Sequence, residues 1–204
     1  MSGILDLVGN TPLVELTKIP VNKGVTIYGK LEGNNPGGSV KDRAAYGMIK
    51  GALDRGEIKE GVKLIEATSG NTGIALAMIA SLFGVPIELV MPEDATRERV
   101  LTMEAFGAKV TLTPKAKSME GAIDYANAQL AKGGYKMLNQ FGNEDNPAMH
   151  YKTTGPEIWK DTHQQITHFV SFKVYSAPIE KIDGQLNPVV QIPTCASFTH
   201  SLGL

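Results

Sequence analysis

The 204-residue chain has one cysteine, Cys195, one tryptophan, and aromatics at only 6% of positions. A lone cysteine cannot close an internal disulfide, and with no paired base to activate it Cys195 reads as incidental rather than nucleophilic. An excess of charge is missing too: 20 Lys and Arg face 21 Asp and Glu, a formal net charge of -1 at pH 7. That balance leaves no footprint for nucleic acid or an anionic membrane surface. The longest apolar run, Ile74 to Phe83, contains Ser81 and falls short of the ~18 residues of a spanning helix. Met1 to Asn10 lacks the cationic start and apolar core of a secretory signal, so the expectation is a soluble cytoplasmic protein. What is present, 42% hydrophobic and 20% charged residues, is enough to bury a core in one large or two small globular domains.

Four short β-type runs recur: Lys63 to Ala67, Pro86 to Met91, Lys109 to Thr113 and Tyr135 to Asn139. Between them lie helical segments, Asn71 to Phe83, Thr96 to Phe106 and Ser118 to Lys132, each followed by a glycine where a left-handed cap belongs. Strand and helix alternating over short links predict right-handed crossovers and a parallel sheet covered on both faces. Upstream, Pro12 to Leu16 and Val25 to Leu31 read as strands, and a helix from Val40 to about Leu53 opens with Ser39 and Asp42 in capping-box spacing. Downstream, Asn146 and Pro147 suit an N-cap and first helical position, and Thr167 to Ser171 reads as a buried strand.

Two loops place small or polar residues at helix starts, where α/β proteins bind ligands. Lys41 falls in the first turn of its helix, where the positive end of the helix dipole favours a neutral amine. A neutral amine is the nucleophile of Schiff-base chemistry; the alternative is an ordinary solvated lysine. In the second loop, Thr68 to Gly73, backbone N–H groups and hydroxyls converge as in a nest for phosphate or carboxylate. The alternative there is a plain glycine-containing turn, and the spacing fits neither a dinucleotide fingerprint nor a P-loop. A third polar stretch runs from Asn139 to Asn143. His150, His163, His168 and His200 have no partners at ligand spacing, so no metal site is expected and each histidine reads as a surface or capping residue.

Taken together and in order, Gly9-Asn10-Thr11-Pro12, Lys30-Leu31-Glu32-Gly33-Asn34-Asn35-Pro36, Ser39-Val40-Lys41-Asp42-Arg43, Glu66-Ala67-Thr68-Ser69-Gly70-Asn71-Thr72-Gly73 and Thr154-Gly155-Pro156-Glu157-Ile158-Trp159 resemble the fold-type II pyridoxal-phosphate enzymes, and among them the B-type cysteine synthases. The likeness runs from about Ile4 to Ser171. It implies an α/β fold of two parallel-sheet domains covered by helices: a larger cofactor domain from 1–39 with 144–171, incomplete here, and a smaller domain at 40–143. It also implies that Lys41 holds pyridoxal 5'-phosphate covalently and later takes the Cα proton, and that Asn71 bonds the cofactor's 3′-oxygen. Thr68, Ser69, Gly70, Thr72 and Gln140 would bind the α-carboxylate of a small amino-acid substrate. The reaction implied is O-acetyl-L-serine with sulfide or thiosulfate giving L-cysteine and acetate, in a homodimer that can also receive the tail of serine acetyltransferase.

Beyond Ser171 the family continues into a Gly- and Thr-rich phosphate loop, whereas Phe172-Lys173-Val174-Tyr175-Ser176-Ala177-Pro178 offers no glycine-rich nest. Residues 172–204 thus read as a tail foreign to the family, a frameshifted or aberrant end that takes the phosphate site with it and leaves turnover by this chain in question. Two other functions stay open: a serine/threonine dehydratase or cystathionine β-synthase-like enzyme, and an inactive truncated homologue that binds a partner. Dehydratases of this fold carry Ser-Phe-Lys about the lysine; Ser39-Val40-Lys41 favours β-replacement.

Overall fold

The computed structural model describes residues 3–19 and 24–172, with the strand segments 181–182, 185–186 and 197–201. Its centre is a parallel sheet of β3 (Lys63–Ala67), β4 (Ile87–Pro92), β5 (Lys109–Thr113) and β6 (Tyr135–Lys136), in the order β5-β4-β3-β6. The preceding strands β1 (Leu13–Glu15) and β2 (Tyr28–Lys30) form an antiparallel pair. Helices α2 (Asn71–Leu82), α3 (Arg97–Ala105) and α4 (Ser118–Ala131) make the crossovers, and α1 (Lys41–Asp54) packs against α2.

Strand periodicity divides the core. Leu64, Ile87, Leu89 and Met91 face α1, α2 and α3, while Ile65 and Val90 face Ala122 and Ala126 of α4. Both faces are therefore dry, as the continuous apolar strands predict. Gly84 and Gly107 follow α2 and α3 with φ of +67° and +88°, the conformation expected of a glycine cap.

α5 (Asp145–Lys152) and α6 (Thr154–Asp161) follow the sheet, α5 lying along α1. The helices approach closely at Gly47, where an added Cβ would stand 2.8 Å from the Asp145 carbonyl oxygen. β7 (His168–Phe172) pairs antiparallel with β10 (Ser197–Ser201), and β8 (Lys181–Ile182) with β9 (Gln185–Leu186). A second parallel sheet is not found among the described residues, and most of the expected foreign tail, Cys195 included, lies outside them.

Four local expectations change. The strand expected to be buried at Thr167 to Ser171 forms as β7, but Val170 in it is 66% exposed. β6 stops at Lys136, not Asn139, because the N–H groups of Leu138 and Asn139 turn away to the Glu66 carboxylate. α5 starts at Asp145 rather than Pro147, since the Asn143 side chain accepts the Asp145 N–H at 3.0 Å. The capping box does not form: Ser39 Oγ accepts the Lys41 N–H at 3.2 Å, but Asp42 reaches back to the Gly37 N–H.

Candidate active site

Lys41 is the first residue of α1 and is half-buried. Burial lowers the pKa of its amine, the same direction as the dipole argument but by loss of solvent. No hydrogen bond or ion pair engages its Nζ among the described residues, whereas Lys30 is held by Glu157 at 2.9 Å and by the Thr11 carbonyl at 2.6 Å. Lys41 is thus an amine withdrawn from water without a carboxylate to fix its charge.

Two residues on, Arg43 has no exposed side-chain surface and draws the scattered motifs together. Its guanidinium donates to Glu32 Oε1 and Oε2, both at 2.8 Å, and to Glu157 at 2.6 and 2.7 Å. Thr11 and Thr153 hydroxyls complete the shell at 3.1 and 3.0 Å. Burial works to raise the Glu157 pKa, but hydrogen bonds from Arg43 and Lys30 prevail and hold it at about 2. Gly9, at φ +90°, has a reason beyond its turn: a Cβ there would sit 2.8 Å from Arg43 Nη1. Sequence reasoning gave no role to Arg43, Glu32 or Glu157, and no local signal pairs residues so far apart in the chain. The network anchors the first turn of α1, and so Lys41, to the β1–β2 segment and to α6.

His150 departs from the surface role expected of it. It is 2% exposed, its Nδ1 lies 2.9 Å from Thr154 Oγ1, and burial, with help from Arg43, pushes its pKa down to about 3. It is a neutral core histidine.

The second loop leaves the C-terminal end of β3, where the Thr68 N–H still bonds the Val90 carbonyl at 2.9 Å. α2 then starts at Asn71; the Gly73 N–H bonds the Gly70 carbonyl at 2.9 Å, while the Asn71 and Thr72 N–H groups make no hydrogen bond among the described residues. Gly73 lets α3 press against this start: a Cβ would meet Met103 Cε at 2.6 Å and Thr68 Cγ2 at 3.0 Å. A Cβ at Gly70 would meet nothing within 4 Å, so the loop opens onto free space. The Asn71 side chain is exposed and makes no hydrogen bond among the described residues, while Ser69 is tied through its carbonyl to Arg99 at 3.2 Å.

Residues 68 positions apart meet here: the Thr72 hydroxyl donates to Gln140 Oε1 at 2.9 Å. The Gln140 amide nitrogen is left to donate elsewhere, and its backbone carbonyl is held by Asn146 Nδ2 at 2.9 Å. The structure therefore unites Thr72 with Gln140 at the α2 N-terminus and places Thr68, Ser69, Gly70 and Asn71 in the loop beside them. Lys41 stands on the neighbouring helix, without a hydrogen bond to any of them. An unpaired, partly desolvated amine and a free amide at a helix N-terminus form a donor set suited to an aldehyde cofactor with a ring oxygen. Among the described residues no group of three His, Cys, Asp or Glu side chains could hold a metal, and no helix is long and apolar enough to cross a membrane.

Residues 4–172 match the family described as pyridoxal-phosphate dependent enzyme. The chain is 56% identical over 171 residues to cysteine synthase B of Salmonella typhimurium, covering 84% of this chain and 56% of that protein. It is 52% identical over 192 residues to cysteine synthase B of Pseudomonas aeruginosa, covering 93% of this chain and 64% of the relative. Among solved structures it resembles the cysteine synthase of Entamoeba histolytica with a TM-score of 0.80 and 44% identity, covering 84% of this chain and 52% of that one. The chain thus spans a little over half the length of these relatives.

Proposed function

The chain belongs to the pyridoxal-phosphate dependent enzymes, and on that premise we propose that it acts as a cysteine synthase, joining O-acetyl-L-serine and sulfide to give L-cysteine and acetate. Thiosulfate is a second sulfur donor in this reading. The observation that carries it is the Lys41 amine, half-buried and without a partner among the described residues, on a helix packed against α2, whose first-turn Thr72 holds the Gln140 side chain.

Lys41 would hold the cofactor, with Asn71 donating to the ring oxygen. Pyridoxal phosphate, when bound, supplies the conjugated ring that stabilises negative charge at the substrate Cα and so permits loss of the β-substituent. Desolvation raises the fraction of neutral Lys41, which serves it as nucleophile and then as base for the Cα proton. The α2 N-terminus, the Ser69 hydroxyl and the Gln140 amide would take the α-carboxylate, since the Asn71 and Thr72 N–H groups and the helix dipole favour an anion there, while the Thr72 hydroxyl, its one proton given to Gln140 Oε1, orients the Gln140 amide. Thr68 and Gly70 shape the same loop. Holding the carboxylate at one end reduces the freedom the amino acid must lose to react. The same proposal includes a cytoplasmic homodimer, with the C-terminal peptide of serine acetyltransferase as an alternative occupant of the carboxylate pocket.

The test is spectroscopic. Mixed with pyridoxal phosphate, the chain is expected to gain visible absorbance that survives dialysis, is missing in Lys41→Ala and changes on addition of O-acetyl-L-serine. A chain that stays colourless, or a Lys41→Ala variant that colours equally, would refute the assignment.

A further inference from the structure

Glu66 is a buried carboxylate in the interior of β3, 7% exposed. Its Oε2 accepts the N–H of Leu138 at 3.1 Å and of Asn139 at 3.2 Å, and the Gln140 N–H also points toward the carboxylate. Successive backbone N–H groups converging in this way form an anion nest. Here the chain fills the nest itself. Asn139 takes a positive φ of 54° within the turn, and the next residue, Gln140, extends its side chain to Thr72.

We propose that Glu66 is the positioning residue of the carboxylate pocket: by occupying the Leu138–Gln140 nest it stations the Gln140 amide against the α2 N-terminus, and it leaves that helix end as the single anion site. The role rests on the cysteine-synthase reading for its substrate, but the coupling between Glu66 and Gln140 stands without it. Burial alone is a poor reason for an acid in a strand core, because an unpaired carboxylate there is costly. Two N–H groups from one turn give it partners and give the turn a fixed place. Both bonds fall on Oε2, so a glutamine could keep them with its single carbonyl oxygen; leucine at this position removes the acceptor and leaves the Leu138 and Asn139 N–H groups unmet.

The experiment has two arms. In the cofactor-free chain, proton–nitrogen spectra follow the Leu138 and Asn139 N–H signals and the Gln140 side-chain amide. In Glu66→Leu all three are expected to move, whereas in Thr72→Val only the Gln140 amide moves. An unmoved Gln140 amide in Glu66→Leu, or Leu138 and Asn139 signals that shift in Thr72→Val, would overturn the proposal. In the cofactor-loaded chain, Glu66→Leu is expected to raise KM for O-acetyl-L-serine about tenfold, the loss of one hydrogen bond to a charged group, while kcat changes less than twofold. The double variant with Gln140→Ala should do no worse than Gln140→Ala alone, as expected when one residue acts through the other. Additive losses would overturn the positioning role. If the wild-type chain shows no turnover, the functional reading suffers while the first arm still decides the coupling.

Discussion

Replacing Arg43 by lysine keeps the charge and removes the fork. Glu157 would retain Lys30 at 2.9 Å and the Asn10 N–H at 2.9 Å. Glu32 would retain Thr11 Oγ1 and Asn35 Nδ2 but lose both guanidinium bonds of 2.8 Å. Of the four guanidinium–carboxylate bonds an ammonium with three donors regains at most three, so the cost is at least one hydrogen bond to a charged group, about 1.5–3 kcal/mol. Arg43→Met leaves two partly buried carboxylates without their cation and should cost about 3–5 kcal/mol. Both are measured by urea unfolding followed through Trp159, the only tryptophan, two residues from Glu157. The pH dependence gives a second check. Glu157 has its pKa lowered from 4.5 to about 2 on folding, so its contribution is fully present above pH 4.5 and is lost as the pH falls toward 2. Arg43→Met should flatten that acid limb. An Arg43→Lys chain within about 0.5 kcal/mol of wild type, the ordinary scatter of a surface change, with an unchanged acid limb would refute the anchoring argument.

Asp42→Asn should stabilise the chain above pH 6. Burial, opposed by the Gly37 N–H, raises the Asp42 carboxyl from 3.8 to about 6, and its Oδ1 has no partner. The folded state therefore holds a proton that the unfolded chain releases, and stability falls as pH rises from about 4 to 6 by at most about 3 kcal/mol. Asparagine mimics the protonated acid, so denaturation at pH 4 and pH 7.5 should show a gain of about 1–3 kcal/mol only at the higher pH; a loss there would contradict the sign. Gly47→Ala should lower the melting temperature, at a cost of about 1–3 kcal/mol, because the new methyl meets Asp145 backbone and Met149 Cβ at 2.8 and 2.9 Å. A neutral result would mean that α5 can move off α1.

The parallel sheet was legible in residue order because its causes are local. Apolar runs of strand length, helices closed by Gly84 and Gly107 and short links leave few ways to bury both faces. The places of Lys41 in a helix first turn and of the Thr68 to Gly73 loop at a strand end were legible for a related reason, since helix starts and strand ends are where backbone groups remain unpaired. The misplaced elements share a cause as well: at β6 and at the start of α5, a side chain outside the regular pattern took the backbone bonds. The partners across the chain could not be read at all. Arg43 meets Glu157 over 114 positions, Glu66 meets Asn139 over 73, and Thr72 meets Gln140 over 68. By itself the sequence determined which residues could carry charge, donate or turn the chain. Only the tertiary structure decided that Arg43 lies buried between two glutamates, that Lys41 has no such partner among the described residues, and that Glu66 closes a nest, because those outcomes depend on which surfaces the packed helices remove from water.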